Sequence, residues 1–350
     1  MIALDDVAMT SPTMMDVVIC ERPGALVAER RPTPTPAPNE VLVRVRRVGV
    51  CGTDMHIFRG VQPFLTYPRV MGHEVSGEVV QSPEHSTLTA GDPVYVVPYL
   101  SCGHCSACRK HRPNCCKVLE VLGVHRDGAL AQYVCIPEQF VFSARGVSLD
   151  DAAMIEFLSI GAHAVRRSGL TPDQRVLVCG TGPIGIACAL FSKLRGNEVT
   201  VVDIRPERLS FCTEKLGIDH ALEFAPDIEA RLLSISGGDM FDVVFDATGS
   251  AEAMAAGFRY IAHGGTYVLV SVVSADITFS DPEFHKREAT LMASRNATAE
   301  DFEFVIECMR AGKLPTAHLH THSAPLLDVP TKLAEWLDPE SRVIKALVEC

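Results

Sequence analysis

The chain has 350 residues, 47 % of them apolar, and a formal charge of −11 at pH 7. This length allows two domains with large cores. The negative charge disfavours nucleic acids and membrane surfaces as partners, because both are polyanionic, and no apolar run is long enough to span a bilayer. Residues 1–15 contain no Lys or Arg, unlike a signal or transit peptide. We therefore expect a frayed N-terminal extension and a cytoplasmic protein.

The first 150 residues predict short strands separated by turns. Residues 41–50 partly alternate between apolar and polar side chains, as a half-buried strand does. The segment before them carries Pro32, Pro34, Pro36 and Pro38, which predicts an extended connector that cannot be helical.

A first group of metal-ligating residues follows this strand. Cys51, Thr53, Asp54 and His56 stand close together in the sequence, and His73-Glu74 comes about 20 residues later. A catalytic zinc ion uses three protein ligands drawn from Cys, His, Asp and Glu, and keeps one position open. Each residue alone also fits a core cysteine, a surface histidine or a solvated glutamate.

A second group is denser and more specific. Cys102, Cys105, Cys108 and Cys116 are separated by two, two and seven residues. Four thiolates close the coordination sphere of zinc and leave no position for a substrate, so this spacing predicts a structural zinc site. Cys115 competes for the fourth place, but the spacing selects Cys116. Thirteen cysteines, an odd number, argue against a disulfide framework.

From residue 171 onward, strand and helix patterns alternate. Val-rich runs flanked by Gly or Asp are typical of a parallel sheet covered on both faces. Strands are predicted at residues 175–180, 198–203, 241–248 and 265–273, and helices at 184–194 and 206–216.

A dinucleotide-binding motif lies between the first of these strands and its helix. Gly180 allows a tight turn, Gly182 lets the backbone approach a pyrophosphate, and Gly185 lets helix and sheet pack closely. Asp203 ends the next strand, where it can accept hydrogen bonds from the adenosine ribose or cap a helix. As a ribose ligand it would repel a 2′-phosphate and favour NAD over NADP, although Arg208, one helical turn on, can approach a phosphate.

Together these motifs resemble the zinc-dependent medium-chain dehydrogenase/reductase family over nearly the whole chain. The matching segments are residues 49–54, 72–74, 102–116, 180–185 and 342–346. Within the family the chain is similar to the branch that acts on polyols and sugar acids, and most of all to the L-galactonate oxidoreductase type. That similarity rests on residues 114–116, 279–288 and 294–302.

The resemblance implies an α/β architecture of two domains. A GroES-like, β-rich catalytic domain with both zinc sites would comprise residues 1–160 and 295–350. A Rossmann domain with a doubly wound parallel sheet would comprise residues 161–294. Homo-oligomers, dimers or tetramers, are usual in the family.

The resemblance also implies roles for individual residues. Cys51, His73 and a glutamate would surround the catalytic zinc, the glutamate being Glu74 or Glu156. Thr53 would take the proton of the substrate hydroxyl and His56 would pass it to solvent, while Asp54 orients a ligand. Further cofactor-binding positions implied by the resemblance are Pro183, Ile184, Thr248, Ser271, Arg295 and Asn296.

The predicted function is oxidation of a secondary alcohol on a sugar acid or polyol, with hydride transfer to NAD and two zinc ions per chain. Arg59 and Arg126 are candidates to bind a substrate carboxylate. The alternatives are a threonine or 2,3-butanediol dehydrogenase and, from another class, a non-catalytic protein that binds zinc and NAD.

Overall fold

The computed structural model describes residues 12–350, which form two compact units. The first unit comprises the described part of Met1–Ile155 together with His320–Cys350, and the second comprises Glu156–Leu319. Between residues 12 and 350, no helix combines the length and the apolar character needed to cross a bilayer.

The strands and helices of both units are numbered here in chain order. The strands are β1 (Met14–Arg22), β2 (Ala25–Pro32), β3 (Glu40–Val50), β4 (Arg69–Val70), β5 (Glu74–Gln81), β6 (Pro93–Val96), β7 (Tyr99–Leu100), β8 (Glu120–Val121), β9 (Tyr133–Pro137), β10 (Val141–Ser143), β11 (Arg175–Cys179), β12 (Glu198–Asp203), β13 (His220–Glu223), β14 (Phe241–Asp246), β15 (Ile261–Leu269), β16 (Thr290–Ala293), β17 (His320–Pro325) and β18 (Lys345–Glu349). The helices are α1 (Gly52–Arg59), α2 (Ser106–Arg109), α3 (Leu149–Ala152), α4 (Ile155–Arg167), α5 (Pro183–Leu194), α6 (Pro206–Leu216), α7 (Ile228–Ile235), α8 (Ala251–Gly257), α9 (Asp281–Lys286), α10 (Ala299–Arg310), α11 (Thr316–Leu319) and α12 (Val329–Trp336).

The first unit is β-rich and is organised around the long strand β3. A seven-stranded sheet has the order β10-β6-β5-β3-β18-β17, with β9 also paired to β3, and a three-stranded sheet has the order β2-β1-β4. The pairing of β18 with β3 brings the C-terminal segment of the chain beside the strand that precedes Cys51. Apolar side chains from these strands and from α12 form one core.

The second unit is a doubly wound α/β fold. Its six strands have the order β13-β12-β11-β14-β15-β16, and every neighbouring pair is parallel. The order reverses between β11 and β14, which is where such folds bind a dinucleotide at the carboxyl ends of the strands. The parallel sheet confirms the predicted fold class.

An ion-pair cluster around the buried Asp301 carboxylate joins two helices of this second unit. The Asp301 carboxylate on α10 lies 2.7 Å from Arg166 Nε and 2.8 Å from His163 Nδ1, both on α4. Burial alone would raise the pKa of Asp301, but the bonds from His163 and Arg166 lower it far below its usual range. The pair therefore favours the ionised carboxylate.

The predicted boundaries agree with the structure at some elements and differ at others. Helix α6 spans the predicted residues 206–216, because Pro206 starts it and Gly217 ends it in a left-handed conformation. Strand β15 begins and ends four residues earlier than the predicted 265–273. Met14 and Met15 belong to β1, where they pair with Pro32 and Arg31, so these two residues are not frayed. The rest of the expected extension, residues 1–11, lies outside the described residues.

The division of the chain into two units differs from the predicted domain limits, above all at the second limit. The prediction placed the divisions after residues 160 and 294, and the structure places them after Ile155 and Leu319. Strand β16 ends at Ala293, and α10 follows within the same unit because its Asp301 is bonded to α4.

Candidate active site

Cys51 occupies the junction between β3 and α1. Its thiol accepts a hydrogen bond from the Thr53 backbone N–H at 3.2 Å, and the Asp54 carboxylate accepts one from the Cys51 N–H at 3.0 Å. The second of these bonds belongs to a capping box between Cys51 and Asp54, and both bonds satisfy backbone donors at the start of α1. The cap fixes the position of the thiol.

His73 lies next to Cys51, although it comes from a different loop. The Cys51 Sγ and His73 Nε2 atoms are 3.3 Å apart. The second Asp54 oxygen accepts a hydrogen bond from the Gly72 N–H at 3.1 Å, so Asp54 holds the two ligand-bearing loops together. Asp54 is buried.

This donor pair fits a zinc ion. Two ligands on a tetrahedral zinc, a sulfur at about 2.3 Å and a nitrogen at about 2.0 Å, are about 3.5 Å apart. Burial raises the pKa of the Cys51 thiol and the neighbouring His73 lowers it. A bound cation would strengthen the second effect, since metal coordination deprotonates a thiol.

Glu74 has a different environment from His73. Both of its carboxylate oxygens lie 2.7 Å from the Lys345 Nζ, which also donates to the Val50 carbonyl at 3.2 Å. Neither side chain of this ion pair is exposed to solvent. Gly49 lies opposite Glu74 in the sheet, and a Cβ atom there would stand 1.9 Å from the Glu74 carboxylate. Room for the ion pair thus depends on a glycine in β3.

The other predicted catalytic residues lie in both units. Thr53 is half-buried and His56 is exposed, three residues apart on α1. Side chains at this spacing lie on the same face of a helix. Glu156 belongs to the second unit, in the first turn of α4, and its side chain is buried.

The cysteine loop brings four thiols into one cluster. The sulfur atoms of Cys102, Cys105, Cys108 and Cys116 all lie within 4.8 Å of one another. Cys105 is 3.5 Å from Cys108 and 3.9 Å from Cys116. The sulfurs of a tetrahedral zinc–tetrathiolate site are about 3.8 Å apart, so the cluster has the dimensions of such a site. Cys115 is exposed and outside it.

Backbone N–H groups of this loop stabilise the thiolate form of Cys105. Hydrogen bonds from the Cys108 and Lys117 N–H groups lower the pKa of the Cys105 thiol to about 6. Desolvation and the neighbouring thiol of Cys105 raise the pKa of Cys108 to about 11. A metal ion removes this conflict because it stabilises all the thiolates at once.

The second unit contains a cavity of about 520 Å³ beside the glycine motif. Gly180 has a φ of 89°, and a Cβ atom on Gly185 would stand 1.8 Å from the Gly180 carbonyl oxygen. Gly182 is the N-cap residue of α5 but forms no side-chain hydrogen bond to the first N–H groups of the helix. Pro183 and Ile184 lie in the first turn. An uncapped helix N-terminus beside a cavity fits the pyrophosphate of a dinucleotide.

The acidic end of β12 faces the same cavity. Asp203 Oδ2 accepts hydrogen bonds from the backbone N–H and hydroxyl of Thr181, both at 2.6 Å, and Oδ1 accepts one from Arg205 N–H at 3.0 Å. Arg208 also lines the cavity and donates to the Thr181 carbonyl at 3.1 Å. Burial lowers the pKa of Arg208.

The remaining predicted cofactor residues lie at the ends of β14, β15 and β16. Thr248 lines the cavity, and its hydroxyl donates to Asp246 at 2.8 Å. Ser271 accepts a hydrogen bond from Gly249 N–H at 3.0 Å. Arg295 and Asn296 follow β16, at the same carboxyl edge of the sheet.

Comparison with known proteins identifies the family. Residues 37–146 match the alcohol dehydrogenase GroES-like domain, and residues 183–311 match the zinc-binding dehydrogenase family. L-galactonate-5-dehydrogenase of Escherichia coli K12 is 43 % identical over 89 % of this chain and 92 % of its own length. The chain belongs to the zinc-dependent alcohol dehydrogenases.

Two further similarities agree with this assignment. The 2-dehydro-3-deoxy-L-galactonate 5-dehydrogenase of Pseudoalteromonas atlantica is 32 % identical over 90 % of this chain and 93 % of its own. The crystal structure of the alcohol dehydrogenase RspB from Escherichia coli CFT073, in complex with NADH, has a TM-score of 0.91 at 29 % identity and covers 97 % of this chain and 100 % of its own. The predicted family, fold class and oxidoreductase activity are confirmed, and the family uses zinc and a nicotinamide cofactor.

Sequence reasoning missed two residues of this dehydrogenase that the structure places beside predicted ones. Lys345 lies in the segment 342–346 that carries the family resemblance, and its only signal in the sequence is a lysine at the start of a strand whose next three residues are apolar. Thr181 stands between two glycines of the motif, and only its contact with Asp203 reveals it.

Proposed function

We propose that this dehydrogenase oxidises a secondary hydroxyl group of a sugar acid to a ketone, with L-galactonate as the first substrate to test and NAD as the hydride acceptor. The observation that carries the proposal is the 43 % identity, over almost the full length of both chains, to L-galactonate-5-dehydrogenase. The alcohol loses a hydride to NAD and a proton to the protein, so the products are the ketone, NADH and a proton.

Cys51, His73 and Glu156 would hold the catalytic zinc. The contact of Cys51 with His73 supports the first two ligands. Lys345 engages both oxygens of Glu74, which favours Glu156 over Glu74 as the resident carboxylate, with Glu74 as its exchange partner. Cys102, Cys105, Cys108 and Cys116 would hold a second, structural ion, for a total of two per chain.

When bound, the catalytic zinc supplies a Lewis acid that lowers the pKa of the substrate hydroxyl, and the nicotinamide accepts the hydride. The residues of the chain handle the proton. Thr53 is half-buried, and its hydroxyl accepts this proton as it releases its own; the exposed His56 on the same face of α1 then passes a proton to solvent. Asp54 holds the loops that carry Cys51 and His73 together, because its carboxylate accepts a backbone hydrogen bond from each loop.

NAD is the proposed cofactor because Asp203 lies in the cavity where the adenosine ribose would bind. Its carboxylate would meet a 2′-phosphate as a like charge. Arg208 lies in the same cavity and weakens this repulsion. We therefore expect a higher kcat/KM for NAD than for NADP, but not a complete exclusion of NADP.

A carboxylate ligand in place of a second thiolate makes the zinc site more hospitable to hydroxyl-rich substrates. Of the two arginines considered for the substrate carboxylate, Arg126 lies 3.8 Å from Glu40. Its charge is therefore partly balanced within the protein. Arg59 is exposed in the last turn of α1 and is the better candidate.

We further propose that the dehydrogenase is a homo-oligomer, in which strand β16 at the sheet edge offers unpaired backbone groups to a second copy. Light scattering after size-exclusion chromatography measures the mass directly. A monomer at micromolar concentration would contradict this part of the proposal.

The substrate proposal is tested by NAD reduction with a panel of alcohols at saturating NAD. L-galactonate should give the highest kcat/KM, above sorbitol, threonine, 2,3-butanediol and ethanol. Cys51→Ser serves as the control for adventitious activity and should bind NADH but not turn over. Preference for threonine or 2,3-butanediol would mean that this compound is the substrate in place of L-galactonate. Preference for ethanol would refute the assignment to polyols and sugar acids. Turnover of none of them, with NADH still bound, would favour a non-catalytic role.

A further inference from the structure

Two loops of the first unit expose a stacked pair of rings. Phe64 belongs to the loop of residues 60–68, between α1 and β4, and His125 belongs to the loop of residues 122–132, between β8 and β9. The ring centroids are 6.2 Å apart and the planes are inclined by 21°, which is a favourable offset stack. Phe64 is nevertheless 69 % exposed, and Val61 in the same loop is 63 % exposed. Exposed apolar side chains that are grouped, unlike scattered ones, are typical of a binding surface.

The His125 ring is held in one orientation and one tautomer. The Val121 N–H donates to His125 Nδ1 at 3.0 Å, and the His125 N–H donates back to the Val121 carbonyl at 2.9 Å. An Nδ1 atom that accepts a hydrogen bond leaves the ring proton on Nε2. The exposed ring of His125 therefore combines an apolar face, which stacks on Phe64, with an N–H donor at its edge.

The loop of residues 60–68 is tied at both ends to α1. The Val61 N–H donates to the His56 carbonyl at 3.0 Å, and the Tyr67 hydroxyl donates to the Ile57 carbonyl at 2.5 Å. Helix α1 starts directly after Cys51 and has eight residues, so it is about 12 Å long. The loop therefore has a fixed place beyond the end of α1 that lies farther from Cys51.

The loop of residues 122–132 packs on the segment that carries His73. The Ala129 N–H donates to the Gly72 carbonyl at 2.9 Å. Gly123 approaches the same residue so closely that a Cβ atom there would stand 3.0 Å from the backbone nitrogen and oxygen of Gly72. The stacked pair is thus fixed to both segments that bear the proposed zinc ligands, Phe64 to that of Cys51 and His125 to that of His73.

We propose that Phe64 and His125 bind the hydroxylated carbon chain of the substrate beyond the carbon that is oxidised. The Phe64 ring offers an apolar face to the C–H groups of the chain, and the Nε2–H group of His125 donates a hydrogen bond to a hydroxyl oxygen. Arg59, in the last turn of α1 at the same end of the helix, would then meet the carboxylate. The two rings are specificity-determining residues. This inference rests on the proposed oxidation of a sugar acid.

Four variants separate the ring, the donor and the loop. Phe64→Ala removes the ring and Phe64→Tyr keeps it, whereas His125→Phe keeps the stacking but removes the N–H donor. Val61→Ala is the matched control, because it shortens another exposed apolar side chain of the same loop. For the zinc-loaded enzyme at saturating NAD, kcat and KM are measured with L-galactonate and with 2,3-butanediol, which lacks the longer hydroxylated chain. Zinc content and NADH affinity are measured for every variant.

The expected change is confined to the KM of the long substrate. Phe64→Ala and His125→Phe should each raise the KM for L-galactonate about threefold to tenfold, the range of one aromatic contact or one neutral hydrogen bond. Their kcat should stay unchanged, because these contacts hold the chain equally well before and during hydride transfer. Their kcat/KM for 2,3-butanediol should stay within about twofold of the wild-type value. Phe64→Tyr and Val61→Ala should behave like the wild type with both substrates.

Other outcomes overturn the inference. An unchanged KM for L-galactonate in Phe64→Ala and His125→Phe would mean that the rings do not touch the substrate. An equal loss with 2,3-butanediol, the same loss in Val61→Ala, or a loss of zinc or NADH affinity would show a general disturbance of the loops instead. If the wild type does not oxidise L-galactonate, the proposed function and this inference fall together; if it does, only this inference is at stake.

Discussion

Replacing Lys345 with methionine should strongly destabilise the first unit. Its ammonium group has three donors, which are shared between the two oxygens of Glu74 and the Val50 carbonyl, and both side chains are fully buried. Methionine keeps much of the side-chain shape but leaves the Glu74 carboxylate buried without a counter-charge. Breaking a buried ion pair in this way costs about 3–5 kcal/mol.

A double-mutant cycle separates the ion pair from its surroundings. Glu74→Met alone should also be costly, since it leaves the ammonium without its carboxylate. The double variant Glu74→Met/Lys345→Met puts two apolar side chains of similar volume together, and such replacements are often nearly neutral. We therefore expect the double variant to be more stable than either single variant.

The chain offers a matched control and a built-in reporter for this experiment. Lys332 and Glu335 form an ion pair of the same 2.7 Å length in the same unit, but their side chains are 42 % and 54 % exposed. Lys332→Met should cost less than about 1 kcal/mol. Trp336 is the single tryptophan and is buried in α12, so its fluorescence during urea unfolding reports on the first unit.

In thermal unfolding, the Lys345→Met loss corresponds to a lower Tm by on the order of 10 °C, because a unit of 150–250 residues shifts by about 2–4 °C per kcal/mol. Zinc content is measured for each variant, since Glu74 neighbours His73. A loss below about 1 kcal/mol, or a double variant that shows the sum of the two single losses, would refute this account of the pair.

Three further predictions address the metal sites, the cofactor and the helix pair. Metal analysis should find two zinc ions per chain, and Cys105→Ser should lose one of them and lower the Tm, whereas Cys115→Ser should change neither; one ion in the wild type would contradict this. Asp203→Ala should reduce the ratio of kcat/KM for NAD to that for NADP, and an unchanged ratio would assign the preference to another residue. Because the pKa of Asp301 is lowered in the folded state, its contribution to stability is complete above about pH 4, the unfolded value, and is lost as the pH falls towards the folded value. Asp301→Asn should therefore lower the free energy of unfolding at pH 7 and make it depend less on pH in the acid range, as measured by urea titrations. A pH dependence parallel to that of the wild type would argue against the assignment.

The strand–helix alternation of the second unit could be predicted because its signals are local. Proline at the first turn and a glycine after the last turn define α6 to the residue. The same local reasoning failed for β15, where Gly264-Gly265 resembles a turn. The strand instead starts at Ile261, and its pairing with β14 is interrupted between Phe241 and Val243. Its expected end was also too late, because the chain leaves the sheet after Leu269 and Val272 is 89 % exposed.

The candidate metal ligands could be located for a related reason. The thiols of Cys102, Cys105 and Cys108 converge through a short loop, so their spacing alone encodes the cluster. The choice between Glu74 and Glu156 had no such local signal. The proposed choice of Glu156 rests on Lys345, which stands 271 residues after Glu74 in the sequence and reaches it only because β18 pairs with β3.

The two glutamates illustrate a physical limit of prediction from sequence. Whether a polar group is available to a ligand depends on which other groups already satisfy it, and in a buried environment that is decided by tertiary contacts. Glu74 is a candidate ligand in the sequence, but in the folded unit both of its carboxylate oxygens accept hydrogen bonds from Lys345. Residue type and spacing therefore identify candidate groups in the sequence. The tertiary contacts of the folded chain determine which of these groups can bind a metal, a cofactor or a substrate.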